Sequence, residues 1–154
     1  MMDPELRDLY QEIILDHGRH PRHFGQLDDA NREADGHNPL CGDKIHVYLN
    51  VDDTETIKDV MFNGKGCAIS IASASMMTEL LLGKNVDEGK RLMNAFLDMV
   101  KGEEANFDGV DEDDLDQLQA MSGVSEFPMR VKCATLAWHT FVAAADGDQD
   151  ATTE

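Results

Sequence analysis

The chain has 154 residues and a formal charge of −18, with 31 acidic side chains against 13 Lys and Arg. So large an excess of anions excludes nucleic acid as a partner, and apolar runs this short and interrupted exclude a membrane span. The length suits a single domain with its own core, and a solvated acidic surface of halophilic type is the plainest reading of the charge.

The first residues, Met1-Met2-Asp3-Pro4-Glu5-Leu6-Arg7, lack the basic start and apolar block of a secretory signal, so a cytoplasmic protein is expected. Asp3-Pro4-Glu5 reads as a helix start, with a capping acid and proline at the first helical position. Leu6, Leu9, Tyr10, Ile13 and His17 then repeat at helical spacing until Gly18 and Pro21. Because Pro21 breaks that helix, His17, His20 and His23 read as solvated helix-end residues. A polar segment without usable periodicity follows, up to a turn at Asn38-Pro39-Leu40-Cys41-Gly42-Asp43.

From Ile45 the period becomes two. Ile45, Val47, Leu49 and Val51 alternate with polar residues, and Ile57, Val60 and Phe62 mark a second strand paired antiparallel with the first. A helix is predicted from Ser70 to Leu82 with Gly83 as its stop, and another after a cap at Asp87, with Leu92, Ala95, Phe96, Met99 and Val100 facing inward. Residues 103–127 read as an acidic insertion with one short helix around Asp114–Met121. The last helix follows Pro128 and carries the apolar stripe Val131, Ala134, Trp138, Phe141, Val142 and Ala145. The predicted fold is α+β, a small antiparallel three-stranded sheet packed against helices. It forms one domain over residues 1–145, and the acidic tail 146–154 is expected to be disordered.

Three cysteines in a cytoplasmic chain point to metal-binding, catalytic or structural thiols rather than a disulfide framework. Cys41 and Asp43 share a Pro/Gly turn. Cys67 follows Gly64-Lys65-Gly66 and precedes a helix whose positive end favours a thiolate. Cys133 stands near Arg130 and Lys132 at the predicted start of the last helix. Three thiols and one carboxylate make the four ligands tetrahedral zinc takes. Such a centre carries a formal charge of about −2, which Lys65, Arg130 and Lys132 would partly offset. An over-anionic site also favours release of one ligand, which a nucleophilic thiolate requires. Three unrelated buried cysteines are the competing reading, and the polar loop settings of Cys41 and Cys67 weigh against it.

Three segments carry a resemblance: Asn38 to Asp43; Gly64 to Ser70 with Ala72 to Met77; and Arg130 to Trp138. Together they resemble the SufU/IscU (NifU-N-terminal-like) iron–sulfur assembly family, from Leu9-Tyr10 to Trp138. The insertion before Cys133, and Lys132 where IscU-type proteins carry histidine, favour the SufU branch. The resemblance implies zinc held by Cys41, Asp43, Cys67 and Cys133. It implies sulfur accepted on Cys41 from a PLP-dependent cysteine desulfurase of SufS type, with a zinc ligand exchanged on docking. It places Arg130 at that interface and implies passage of sulfur to downstream Suf assembly proteins. One alternative is a scaffold on which the same residues assemble a [2Fe–2S] cluster; another is a structural zinc module used only for protein contacts.

Overall fold

The two-residue period of Ile45, Val47, Leu49 and Val51 turns each of these side chains inward. In the computed structural model, which describes residues 4–39 and 42–152, all four lie in the core of strand β2, Asp43–Val51. Strand β3, Ile57–Lys65, runs antiparallel beside it and adds Ile57, Val60 and Phe62 to that core. The turn between them is tied by Asp52, whose carboxylate accepts from the Thr54 hydroxyl and from the Thr54 and Thr56 N–H groups. Those hydrogen bonds, the Thr54 hydroxyl foremost, hold its carboxyl down to about 2.

The sheet has four strands in the order β3-β2-β1-β4 and is mixed, not three-stranded and antiparallel. Strand β1, Arg32–Asn38, lies in the segment whose sequence shows no usable periodicity. Its inward positions are Ala34, Gly36 and Asn38, too small or too polar to give an apolar alternation. They are small because helix α5, Pro128–Asp146, crosses directly over the strand. A Cβ at Gly36 would collide with the Thr140 hydroxyl and come within 3.2 Å of Leu136. Within the acidic tail, the described residues extend to 152. Gly147 takes a left-handed conformation at the end of α5 (φ 84°), and β4, Asp150–Thr152, pairs parallel with β1. The open edge of β1 supplies backbone hydrogen bonds that an acidic segment can use without burying apolar surface.

Helix α2, Ala68–Leu81, lies between helix α1, Pro4–Arg19, strand β3 and α5, and is therefore buried nearly all round. Ser73 lets α2 and α5 approach closely, its hydroxyl donating to the Ala134 carbonyl at 2.5 Å. Trp138 is fully buried in α5 and stacks on Phe96 of helix α3, Val86–Val100, with ring centroids 5.0 Å apart. The cap of α3 is Asn85 rather than Asp87: the Asn85 side chain accepts the Asp87 N–H, and Asp87 stands in the first turn beside the positive helix end. Within the acidic segment, helix α4, Glu112–Gln119, and a 3₁₀ turn, Ser122–Glu126, deliver Leu118, Met121 and Val124 to the core. Asp3, read as the cap of α1, lies outside the described residues.

His17 is not a solvated helix-end residue. It is 2% exposed, with Nδ1 2.7 Å from Ser75 Oγ and Nε2 2.7 Å from Gln117 Oε1. Burial pushes its imidazole below the usual histidine value. A neutral ring protonated on Nε2 satisfies the whole set: Nε2–H donates to Gln117, and the Ser75 hydroxyl donates to Nδ1 while accepting the Arg22 N–H. The ring thus pins α4 to α1 and α2. Among the described residues no helix is long and apolar enough to cross a membrane.

Candidate metal centre

Three elements end at one point. Asp43 is the first residue of β2, Cys67 the residue that caps α2, and Cys133 lies in the second turn of α5. One carboxylate oxygen of Asp43 and the two Sγ atoms lie within 4.8 Å of one another. Asp43 is 1% exposed and Cys133 fully buried, whereas Cys67 is half-buried at the surface end of the cluster. Cys133 does not begin its helix as the sequence reading supposed, because Pro128 already occupies the first turn. Cys41 lies outside the described residues, in the connection between Asn38 and Asp43.

Local backbone geometry explains the convergence. Asn38 and Asp43 are the last paired residues of β1 and β2, and the Asn38 carbonyl accepts the Gly42 N–H at 2.9 Å. Gly42 takes φ 71°, in the left-handed region glycine enters without a Cβ penalty. At the other side of the site, Cys67 N–H donates to Asp43 Oδ1 at 3.0 Å. This bond joins the start of α2 to the start of β2. Gly66 allows it: a Cβ there would stand 2.6 Å from the same oxygen.

The donors fit a thiophilic divalent cation. Asp43 is a buried carboxylate whose hydrogen-bond donors among the described residues are the Cys67 N–H and the Asn38 amide, with no ion pair. An ionised carboxylate in such surroundings requires compensating positive charge. Two sulfurs and an oxygen from separate elements match zinc's borderline-soft preference and leave one tetrahedral position for a further ligand.

The cation beside these donors is Arg130. Its exposed guanidinium lies beside both sulfurs, and the negative charge of Cys67 first, then Cys133, holds it above the usual arginine range. Lys65 and Lys132, read as further offsets to the site's charge, form no ion pair among the described residues. Cys67 and Arg130 also line one end of a cleft of about 870 Å³. Its walls are Tyr10 and Ile14 of α1 and Val124 and Phe127 beside the 3₁₀ turn. Phe127 is 59% exposed, which is unusual for a phenylalanine with a wall of the same cleft to pack on. Neither the cleft nor the side-chain role of Asn38 is legible in the sequence, since both depend on elements distant along the chain.

A model of the NifU-like N terminal domain matches residues 9–141, a span that includes all three cysteines and Asp43. The chain belongs to this family. It is 42% identical over 133 residues to the zinc-dependent sulfurtransferase SufU of Bacillus subtilis (strain 168), covering 86% of each chain. It is 39% identical over 140 residues to the iron–sulfur cluster assembly scaffold protein IscU of Streptococcus pyogenes serotype M1, covering 91% of this chain and 84% of that one. Among solved structures, it resembles a protein of Fervidobacterium islandicum AW-1 described as an iron–sulfur cluster assembly scaffold for the SUF system. The TM-score is 0.79 at 34% identity, over 90% of this chain and 98% of the other. The α+β fold of this chain thus matches that of SufU/IscU-like structures.

Proposed function

We propose that this NifU-family chain is a zinc-dependent sulfur acceptor and carrier for iron–sulfur cluster assembly, taking persulfide sulfur from a PLP-dependent cysteine desulfurase. The observation that carries the reading is the convergence of Asp43, Cys67 and Cys133 within 4.8 Å, beside an exposed arginine. Similarity to a zinc-dependent sulfurtransferase supports it. In this reading Asp43, Cys67, Cys133 and Cys41 hold the zinc. When bound, the metal supplies a positive centre that keeps the thiols deprotonated.

Cys41 is the sulfur acceptor. Its thiolate attacks the outer sulfur of the desulfurase persulfide, forming one S–S bond as the other breaks. The desulfurase cysteine leaves as a thiolate, and the transferred sulfur remains on Cys41 as a persulfide. No oxidant is consumed, because one S–S bond replaces another. Arg130 sits at the interface with the desulfurase, where its guanidinium attracts the incoming persulfide anion. The largely apolar cleft beside it offers the desulfurase a surface that the acidic exterior does not. The chain then hands sulfur to downstream Suf assembly proteins, in the cytoplasm.

A second reading has its own support: the same thiolates suit a [2Fe–2S] cluster, and a relative 39% identical is named a scaffold. Cys41→Ala separates the possibilities. The carrier reading expects a folded protein that no longer raises desulfurase turnover above that of the desulfurase alone and gains no sulfur by intact mass. A purely structural zinc site expects that variant to unfold. A stable brown wild-type protein with no effect on the desulfurase would favour the scaffold.

A further inference from the structure

The residue behind the donor set is Asn38. Its side chain is fully buried, although it is an amide next to a surface turn. Nδ2 lies 3.4 Å from Asp43 Oδ2 and 3.7 Å from Cys133 Sγ, so its two hydrogens face two of the three converging donors. Among the described residues Oδ1 accepts no hydrogen bond.

We propose that Asn38 is a positioning residue of the metal centre, its amide orienting Asp43 and loading Cys133 as ligands. The inference rests on the reading that this centre binds metal. Asp43 is gripped on both oxygens: Oδ1 takes the Cys67 N–H and Oδ2 takes the Asn38 amide. Each oxygen keeps a lone pair, but the carboxylate can no longer turn. The amide's other hydrogen meets Cys133 Sγ, withdrawing electron density from that sulfur. Partners of this kind fix ligand orientation and tune metal affinity. The residue type follows. An aspartate at this place would set a further negative charge against Asp43 and Cys133, and a leucine would remove the amide N–H from Asp43 Oδ2 and from Cys133 Sγ. A neutral side chain with two N–H groups on one nitrogen serves both.

The test uses the full chain. Zinc affinity by competition with a chromophoric chelator is expected to fall about 10–100-fold in Asn38→Ser. The cobalt-loaded variant should show its sulfur-to-metal charge-transfer band at longer wavelength, because the sulfur has lost a hydrogen bond. Independently of any variant, ¹¹³Cd-loaded wild-type protein should show scalar coupling between the metal and an Asn38 side-chain amide proton, through Cys133. That measurement decides the matter if Asn38→Ser does not fold. Affinity within twofold of wild type and an unmoved band, or a cadmium protein with rapidly exchanging, uncoupled Asn38 protons, would overturn the role of Asn38. A wild-type protein that takes up neither zinc nor cadmium would instead overturn the metal reading on which it rests.

Discussion

Gly64→Ala should destabilise the protein by roughly 3–5 kcal/mol, combining backbone strain with overpacking. Gly64 has φ 142°, a conformation that side chains with a Cβ rarely adopt. It also faces β2 so closely that an added Cβ would lie 2.0 Å from the Lys44 carbonyl oxygen and 3.0 Å from Ile45 Cα. Both contacts are backbone, so no side chain can swing away. The register pairs Gly64 with Ile45, two residues from Asp43, and β3 leads directly to Cys67. Spreading the strands here therefore loosens the core and the donor set together. A melting temperature lower by roughly 10 °C is the expected size for a domain of this length. A loss below about 1 kcal/mol in urea unfolding would contradict so close an approach.

Two residues on, Gly66→Ala should show the opposite division of effects. Gly66 is exposed and outside the left-handed region, so alanine suits its backbone. The new Cβ would instead meet the Asp43 carboxylate, 2.6 Å from Oδ1 and 3.0 Å from Cγ. Asp43 must swing away, giving up the Cys67 N–H. The stability of the metal-free protein should fall by less than in Gly64→Ala, on the order of 1–3 kcal/mol for a buried carboxylate that loses one hydrogen bond. Zinc affinity should fall about 10–100-fold, the range seen when a metal ligand loses its supporting contact. Chelator competition and metal-free melts on both glycine variants check the pair. Equal zinc affinity in Gly66→Ala and wild type would mean that Asp43 is not held as described.

Both glycines were visible in Gly64-Lys65-Gly66-Cys67 as residues that permit close approach, and the sequence alone could not say what approaches. The rest of the molecule divides in the same way. Strand β2 is readable because one face meets only apolar neighbours, so its alternation is unbroken. Strand β1 is not, because α5 lies so near that Gly36 and Ala34 are what fits, and small residues carry no period. His17 looked like a surface residue because its cover, Gln117, comes from 100 positions away. Asp43, Cys67 and Cys133 were legible from chemistry and resemblance, since thiols in polar loops are unusual in a core. Asn38 lies in the segment from Asn38 to Asp43, and its sequence setting assigns it no role. Its importance lies in which atoms its amide faces, and that is decided by where α5 brings Cys133.

Metal content of freshly purified protein, measured for wild type and for Asp43→Ala, tests the central claim most directly. About one zinc per wild-type chain, largely lost in a still-folded Asp43→Ala, is the expected result for a centre built on the converging carboxylate and thiols. Wild-type protein without bound metal, or Asp43→Ala that retains it in full, would contradict the account.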